Sequence, residues 1–530
     1  MKTDSLISGF IRSADSYPDN LALFVDDTPY TYRELASRVQ CIAHEILGKD
    51  NDSRQIGIYA YRSIHMYSAI LAALLSGHCY VPLSPIFPQK RVQNTIAKAG
   101  TKIILTDGAH LASLLELLAE SDESHSIIVL GEHEEGLHIP DQISLTSIPE
   151  SRLKALSAED APLGMPTVDP GDIAYLLFTS GSTGDPKGVG ITHRNALSMI
   201  AASIDRYQFN QEDSFTQLFD FTFDLSVFDI FVPLTVGGSI FCVPKGEMML
   251  PHRFVNKHKL SVWFSVPAVA VFLSKFKLLK PDSLPHLRLA LFCGEALLES
   301  SARDFALAAP NAILENLYGP TEATVYFTYY TYSPGTELGA EYKGIVPIGK
   351  PLPGLEAAIV DPNLKPVADG EVGELCLAGP QLAPGYWRNP GLTNTKFCPL
   401  NTSAREQDNR WYRTGDLARL DANGDIVFIG RIDDQIQIAG HRVELGEIEH
   451  LLRKSARLEH LVAIGHRPTP DIPYEILVFY SGSPETDLDA VCKENLPTYM
   501  QVKRFYQVET MPLNANGKVD RKALLARLAE

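Results

Sequence analysis

The sequence predicts an α/β protein with more than one domain. Helical patterns alternate along the chain with short apolar runs of strand length, which is typical of sheets covered by helices. The 530 residues exceed what one hydrophobic core accommodates, so we expect at least two domains. The apolar fraction of 45% and the charged fraction of 21% are ordinary for a globular protein and carry no signature of disorder.

The first 210 residues show the clearest alternation of helices and strands. Residues 32–47 carry apolar side chains at helical spacing, and residues 63–76 predict a helix that ends at Gly77. Apolar runs predict strands at 56–61, 80–83, 126–130 and 173–178, and the acidic segment 120–141 is expected to be mostly exposed. Thr192 is a suitable N-cap for a helix that continues to Ser203.

Glycines recur between residues 344 and 429 and separate short alternating strands at 357–360, 374–378 and 424–429. This rhythm is typical of a small β-barrel-like subdomain.

Charge and cysteine content exclude several functional classes. The net charge of −17, from 47 basic and 64 acidic residues, excludes nucleic acid as the expected partner, because nothing would offset the repulsion from its phosphates. The seven cysteines form no CxxC pair, which indicates reduced core thiols rather than disulfides or zinc ligands. The N-terminus lacks the apolar core of a signal peptide, and no apolar run reaches membrane-spanning length. We therefore expect a soluble cytoplasmic protein with no membrane partner.

A loop rich in glycine and hydroxyl side chains follows the strand at 173–178. Its sequence, Thr-Ser-Gly-Ser-Thr-Gly-Asp-Pro-Lys-Gly over residues 179–188, suits phosphate. The glycines let backbone N–H groups approach a polyanion, and Lys187 adds a cation. It is not a Walker loop, since no Gly-Lys-Ser/Thr follows at the required spacing. A flexible turn between two strands is the alternative, so composition leaves both interpretations open.

Four polar segments in apolar surroundings would complete a nucleotide site. They are residues 316–322, 412–417, 430–435 and 514–521. Polar turns are solvated more often than they are catalytic, so no single segment is specific. Together they offer an aromatic ring for a base, acceptors for ribose hydroxyls, a carboxylate for Mg²⁺ and lysines for phosphates.

The order of these segments resembles the amino-acid adenylation domains of nonribosomal peptide synthetases. These domains belong to the adenylate-forming superfamily, which also includes acyl-CoA ligases and luciferases. The resemblance extends from about residue 20 to the C-terminus. The segments that carry it are 30–35, 80–83, 176–188, 223–229, 318–322, 373–375, 412–417, 430–449, 496–500 and 516–520.

The resemblance implies the residues of an ATP site. In the family, residues at these positions bind the phosphates, adenine, Mg²⁺ and the ribose. The corresponding residues are Thr179, Ser180, Gly181, Ser182, Thr183, Gly184 and Lys187 for the phosphates, Asn316 and Tyr318 for adenine, Thr321 for the α-phosphate, Glu322 for Mg²⁺, and Asp416 and Arg431 for the ribose.

The resemblance also implies a domain division and a catalytic lysine. A large N-terminal domain of β-sheets flanked by helices would span residues 1–430, with the β-barrel-like subdomain at about 344–430. A small, mobile α+β lid would span 431–530 and turn about Asp433. Lys518 matches the family's catalytic lysine, which bridges the substrate carboxylate and the α-phosphate, and Thr321 and Glu322 complete the implied catalytic set. A fixed cation suits this step, because a carboxylate that attacks phosphorus brings two anions together.

Ten positions of the family's amino-acid pocket can be assigned by the same resemblance. Asp224 would pair with the substrate ammonium and Lys518 with its carboxylate, which favours an α-amino acid over a fatty or aryl acid. The remaining side chains are mostly apolar and bulky, so we expect a small aliphatic or cyclic amino acid. The pattern resembles Asp-Leu-Leu-Tyr-Leu-Ala-Leu-Val-Cys-Lys, the type found in free-standing prolyl-adenylating enzymes, and L-proline is the expected substrate. The ten residues are Asp224, Leu225, Phe228, Ser265, Leu291, Cys293, Leu317, Val325, Tyr326 and Lys518.

The acceptor of the activated amino acid is expected to be a separate protein. No carrier segment follows the lysine motif before Glu530. We therefore expect transfer to the phosphopantetheine thiol of a separate acyl or peptidyl carrier protein, with release of AMP and pyrophosphate, in secondary-metabolite biosynthesis. Three alternatives stay open. The first is a D-alanine–carrier protein ligase, because segments 223–227 and 292–295 resemble the motifs of that enzyme. The second is an acyl- or aryl-CoA ligase, which Asp224 disfavours, and the third is a non-catalytic relative that binds ATP.

Overall fold

A computed structural model describes residues 4–49, 53–155, 164, 166–181, 186–335, 338–400, 409–456, 458, 460–469, 471–512 and 519–528. In chain order, its helices are α1 (Ser8–Ser16), α2 (Tyr32–Leu47), α3 (Ile64–Leu75), α4 (Gln89–Ala99), α5 (Gly108–Leu118), α6 (Glu150–Leu153), α7 (His193–Tyr207), α8 (Leu225–Val236), α9 (Pro251–His258), α10 (Pro267–Lys275), α11 (Glu299–Ala308), α12 (Pro390–Lys396), α13 (Leu445–Ala456), α14 (Leu488–Asn495) and α15 (Arg521–Ala526).

The strands of the first half are β1 (Leu21–Val25), β2 (Thr28–Thr31), β3 (Gln55–Tyr59), β4 (Cys79–Pro82), β5 (Ile103–Asp107), β6 (His125–Leu130), β7 (Ile143–Ile148), β8 (Ile173–Thr179), β9 (Lys187–Thr192), β10 (Ser214–Gln217), β11 (Ser239–Cys242) and β12 (Val262–Ser265). Those of the second half are β13 (Leu289–Phe292), β14 (Ile313–Tyr318), β15 (Thr328–Tyr332), β16 (Lys350–Pro351), β17 (Glu356–Val360), β18 (Gly373–Ala378), β19 (Phe397–Cys398), β20 (Trp411–Leu420), β21 (Ile426–Arg431), β22 (Ile436–Ile438), β23 (His441–Val443), β24 (Leu461–His466), β25 (Glu475–Tyr480) and β26 (Val502–Gln507).

The helices predicted from the sequence form where local capping favours them. The Thr31 side chain accepts a hydrogen bond from the Glu34 backbone N–H, and the Glu34 carboxylate accepts one from the Thr31 backbone N–H. This capping box starts α2. Ser63 caps α3, and Gly77 follows that helix with a φ of +77°. Thr192 caps α7, which continues one turn beyond the predicted end at Ser203.

Two large sheets form most of the structure and confirm the α/β prediction. One has nine strands in the order β16-β15-β14-β13-β12-β10-β11-β1-β2, and the other has seven in the order β7-β6-β5-β3-β4-β8-β9. Most neighbouring strands in both sheets are parallel, with antiparallel pairs toward the edges. One continuous cluster of buried apolar side chains includes residues of both sheets and of α3 and α8. These two helices are apolar on nearly all sides, as expected for helices inside the core.

The predicted β-barrel-like unit corresponds to a five-stranded antiparallel sheet. Strand β20 pairs with β18, β19 and β21, and β17 pairs with β18. Gly424 takes a φ of +75°, so the last predicted strand begins two residues later, at Ile426, and continues to Arg431.

The residues after 431 contain a hairpin, β22–β23, and a three-stranded sheet, β24-β25-β26. Helices α13 and α14 pack with this sheet around a separate apolar cluster. Within the described ranges, no helix is both long and apolar enough to cross a membrane. The seven cysteines are free thiols, and five of them are buried.

Candidate functional site

A cavity of about 740 Å³ lies at the carboxyl edge of the nine-stranded sheet. Its walls come from the end of β8, the loops that follow β13 and β14, and residues 428–442 around β21, β22 and β23. Parallel strands end at the same edge of a sheet, so loops far apart in sequence meet here. The cavity therefore joins the segments that the sequence analysis assigned to ATP and to the amino acid.

The glycine-rich loop connects β8 to β9, whose register pairs Thr179 with Lys187. The Ser180 hydroxyl donates to the backbone carbonyl of Arg442 at 2.6 Å, so this loop contacts the C-terminal part of the chain. The Lys187 ammonium lies 3.7 Å from a carboxylate oxygen of Glu444. Burial, followed by the nearby Arg442, lowers the pKa of Lys187 to about 8.

A tyrosine, an aspartate and an arginine form a connected group on one wall of the cavity. Tyr318 ends β14 and donates its hydroxyl hydrogen bond to Asp416, and Arg431 forms an ion pair with the same carboxylate. Strands β20 and β21 place Asp416 opposite Arg431 in their register. Burial raises the pKa of Asp416, and the Arg431 charge opposes that effect.

Asn316 lies on β14 two residues before Tyr318, and its side-chain amide is fixed. The Nδ2 group donates to the carbonyls of Val346 and Pro347 at 3.1 and 2.8 Å. Its Oδ1 atom is buried and finds no hydrogen-bond partner among the described residues. A buried acceptor of this kind is available to a donor on a ligand.

Glu322 is a fully buried carboxylate with strong partners. The Tyr386 hydroxyl donates to it at 2.7 Å, and the Arg442 guanidinium approaches its two oxygens at 3.2 and 3.3 Å. Burial by itself would raise the pKa of Glu322. Arg442 and Lys187 outweigh burial and lower the pKa to about 2, so the carboxylate is ionised.

The loop that carries Thr321 and Glu322 has a strained backbone. Thr324 and Val325 have φ angles of +60° and +70°, a region that β-branched residues rarely adopt. The buried Gln381 amide donates to the carbonyls of residues 323, 324 and 326 at 3.2, 3.2 and 2.8 Å. The Thr324 hydroxyl donates in return to the backbone carbonyl of Gln381 at 2.6 Å. Gln381 therefore stabilises the conformation of this loop.

Asp224 lies at the N-terminus of α8, on the wall of the same cavity. Only 9% of its surface is exposed, and no lysine or arginine pairs with it among the described residues. Burial is the main cause that raises its pKa to about 7, while a hydrogen bond from Thr321 opposes the increase. A buried carboxylate without a cation is costly, and a cationic ligand would relieve that cost.

The structure separates the nine described pocket positions into two layers. Asp224, Leu225, Cys293 and Leu317 line the cavity. The other five do not line it, because aromatic side chains fill the space behind the wall. These five are fully buried and are Phe228, Ser265, Leu291, Val325 and Tyr326.

The β22–β23 hairpin enters the cavity from the C-terminal part of the chain. The Gly440 backbone N–H donates to Glu295 at 2.8 Å. A Cβ atom at Gly440 would lie 2.3 Å from a Val266 methyl, so only glycine fits this approach. The His441 ring stacks on Tyr499 with centroids 3.7 Å apart. Burial and the charge of Arg91 lower the pKa of His441 to about 4, so the ring is neutral.

The predicted hinge residue Asp433 lies two residues after the end of β21. It is 43% exposed in its side chain, and its carboxylate pairs with Arg431 at 2.6 Å. Beyond it, a buried ion pair between Arg91 and Glu447, at 2.9 Å, joins the C-terminal part to α4. This single arrangement does not test a hinge, which stays a prediction.

Four residues of the site were not identified from the sequence. The signal for Arg442 was available in principle, because a buried Glu322 requires a cation. Gln381 donates to backbone carbonyls, the Tyr386 hydroxyl donates to Glu322, and Glu295 accepts from the backbone N–H of Gly440. Contacts of these kinds have no distinctive sequence pattern.

Four predicted site residues lie outside the described residues. They are Ser182, Thr183, Gly184 and Lys518.

The known proteins that this chain resembles include long synthases and adenylation domains. A family model described as AMP-binding enzyme matches residues 10–387. Surfactin synthase subunit 1 of Bacillus subtilis (strain 168) is 34% identical over 530 residues, which cover 99% of this chain and 14% of that protein. The chain spans at most 44% of the length of seven further curated relatives.

Two solved structures extend this comparison. The Vibrio cholerae adenylation domain AlmE, in complex with glycyl-adenosine-5'-phosphate, has a TM-score of 0.84 and 29% identity, and the match covers 99% of this chain and 97% of that one. PA1221, an NRPS protein containing adenylation and PCP domains, has a TM-score of 0.77 and 24% identity, with 99% and 84% of the two chains covered. The second likeness supports the fold alone.

Proposed function

We infer that this chain activates a small α-amino acid with ATP. The inference starts from its family, because the chain belongs to the AMP-binding enzyme family as an adenylation enzyme of the nonribosomal peptide synthetase type. The observation that carries this proposal is the buried Asp224 carboxylate, which shares one cavity with Tyr318, Asp416 and Arg431. In the proposed reaction a substrate carboxylate oxygen attacks the α-phosphorus of ATP. The bond to pyrophosphate breaks, and an aminoacyl adenylate forms.

The nucleotide would occupy the part of the cavity next to β14 and β20. Tyr318 offers its ring to adenine, and the unpartnered Oδ1 of Asn316 offers an acceptor to the adenine amino group. Asp416 and Arg431 would bind the ribose hydroxyls. The loop from Thr179 to Lys187 would hold the phosphates, and Thr321 would contact the α-phosphate.

Mg²⁺ fits the chemistry of Glu322. This carboxylate is ionised, and carboxylate oxygens are the ligands that Mg²⁺ prefers. Glu322 would hold the ion, which would neutralise charge on the ATP phosphates. In the observed arrangement Arg442 takes the place of such a cation, so the hairpin would leave Glu322 before Mg²⁺ binds there.

The charge of Asp224 supports an amino acid as the substrate. Its carboxylate is buried, and the ammonium group of an amino acid would supply the missing cation. A fatty or aryl acid would leave the charge uncompensated. AlmE is described in complex with glycyl-adenosine-5'-phosphate, which is the expected product class for this chain.

L-Proline is the first candidate within this class. The pocket shares six of its ten residues with the prolyl-adenylating pattern, including the apolar wall of Leu225 and Leu317. The substitutions partly exchange volume, because Ser265 replaces a tyrosine of the pattern and Tyr326 replaces a cysteine. D-Alanine is the second candidate. The filled space behind the wall, where the rings of Phe228 and Tyr326 lie in contact, favours this smaller substrate.

The second proposed step transfers the aminoacyl group to the phosphopantetheine thiol of a separate carrier protein. The thiol attacks the carbonyl carbon, and AMP leaves. We propose the domain division at 430/431, with the β-barrel-like subdomain at 344–430, Asp433 as the hinge and Lys518 as the cation of the first step. In the observed arrangement Arg442 pairs with Glu322, and Glu444 pairs with Lys187. These contacts support the assignment of the observed arrangement to the second step.

Amino-acid-dependent exchange of pyrophosphate into ATP tests the proposal. We expect exchange with L-proline or D-alanine and with no charged or large amino acid. Asp224→Asn should abolish exchange, and its matched control Asp205→Asn, which changes an exposed aspartate of α7, should retain it. The proposal fails if no amino acid supports exchange, and the choice of L-proline fails if D-alanine alone does.

A further inference from the structure

Phe228 and Tyr326 lie behind the lining residues of the proposed amino-acid pocket, and we call these two side chains its floor. Their rings meet edge to face with centroids 6.2 Å apart, and both side chains are fully buried. Tyr326 lies directly behind the cavity wall, because a Cβ atom on the wall residue Gly319 would be 2.5 Å from its Cα. Because the rings of Tyr326 and Phe228 fill the space behind the wall, the position of the Tyr326 ring limits how deep the pocket can extend.

A serine on a neighbouring helix holds the Tyr326 hydroxyl. Ser203 of α7 is completely buried, and its Oγ lies 2.8 Å from the Tyr326 hydroxyl oxygen. Ser203 donates its only proton to the backbone carbonyl of Met199 at 2.8 Å. Tyr326 is therefore the donor in the Ser203–Tyr326 hydrogen bond.

The next turn of α7 is itself held by a buried carboxylate. The Tyr207 hydroxyl donates to Glu315 at 2.6 Å, and Arg206 pairs with the same carboxylate. The Tyr326 hydroxyl would lose its Ser203 partner if the ring turned, because no other polar group replaces a partner in a buried site without cost. Helix α7 thus restrains the ring at its far end.

We propose that Ser203 is a positioning residue that sets the size limit of the amino-acid substrate through Tyr326. The inference rests on the proposed function and deepens it. With the hydrogen bond intact, the floor stays rigid and admits side chains no bulkier than that of proline. Without it, the phenol ring can turn away and admit larger apolar side chains. Ser203 itself does not line the cavity, so the effect is indirect.

The proposal is tested by steady-state pyrophosphate exchange in wild type, Ser203→Ala and Ser203→Thr. The amino acids to compare are glycine, L-proline, D-alanine, L-leucine and L-phenylalanine. For Ser203→Ala we expect the preference for the best small amino acid over L-leucine to fall about tenfold, through KM for the amino acid and with KM for ATP unchanged. Ser203→Thr retains a hydroxyl and should restore the preference. Ser198→Ala, at a partly buried serine on the same helix, is the matched control and should behave as wild type.

Tyr326→Phe removes the same hydrogen bond without changing α7 and guards against a folding defect in Ser203→Ala. It should shift the preference in the same direction. An unchanged size preference in both variants overturns the inference. A loss that affects kcat and both KM values alike, without rescue by threonine, also overturns it, because that pattern is structural. Absence of exchange by wild type with every amino acid refutes the proposed function itself.

Discussion

Replacing Asp224 with asparagine should stabilise the folded protein and abolish activation of the amino acid. The carboxylate is buried, and burial raises its pKa from 3.8 to about 7. At about 1.4 kcal/mol for each pKa unit, this corresponds to a cost of about 4 kcal/mol for holding the charge in the folded state. Asparagine has nearly the same shape and carries no charge, so the Asp224→Asn variant avoids that cost.

The stabilisation expected from Asp224→Asn depends on pH. Below pH 3.8 the aspartic acid is neutral in both the folded and unfolded states, and it causes no penalty. As the pH rises from 3.8 to about 7, the unfolded chain loses the proton before the folded protein does, so stability falls. Above about pH 7 the penalty is complete. The stabilising effect of Asp224→Asn should therefore be full at pH 8 and small at pH 4.5.

Calorimetric unfolding of wild type and Asp224→Asn at both pH values measures the effect. With an unfolding entropy of about 2.1 cal/mol/K per residue, the variant's midpoint at pH 8 should rise by about 4 °C for the proposed N-terminal domain. Asp205→Asn on the protein surface is the control and should change neither midpoint. A variant that is equal to wild type or less stable at pH 8 would refute the assignment of a buried, uncompensated charge.

The remaining predictions concern the loop, the hairpin, the substrate charge and the lysine. Gln381→Glu places a carboxylate against three carbonyl oxygens and should reduce pyrophosphate exchange about 100-fold, together with a lower unfolding midpoint; unchanged exchange would contradict its role. Arg442→Ala should leave exchange within about threefold but slow thioester formation about tenfold, and the opposite split would contradict the assignment of the observed arrangement. The KM for the amino acid should fall about tenfold between pH 6 and pH 8 as Asp224 ionises, and a flat profile would argue against that residue. Lys518→Ala should reduce exchange at least 100-fold at an unchanged unfolding midpoint.

Local signals explain why the helices could be predicted. The Thr31 and Glu34 capping box, and the caps at Ser63 and Thr192, involve residues within one helical turn of each other. Strand ends were less accurate. Gly424, for example, ends a turn that begins at Asp421 and does not belong to the strand it was assigned to, because its positive φ is incompatible with regular pairing.

The candidate site could be predicted only as a set of residues. Asp224 and Glu322 were identified by resemblance, but their pKa values depend on burial and on partners far away in sequence. Arg442 reaches Glu322 across 120 residues, and only the folded hairpin makes that contact. The depth of the pocket depends on how the rings of Phe228 and Tyr326 pack, and residue identity alone does not predict that packing.

The central claim is that this chain selects its substrate by an ammonium group that pairs with Asp224. The most direct test compares pyrophosphate exchange for two pairs of acids, L-proline with cyclopentanecarboxylic acid and D-alanine with propionic acid. Each pair differs mainly by the amino group. We predict exchange with an amino acid and none above background with its deaminated partner, and no exchange with either in Asp224→Asn. Equal exchange within a pair, or activity retained in Asp224→Asn, would contradict the claim.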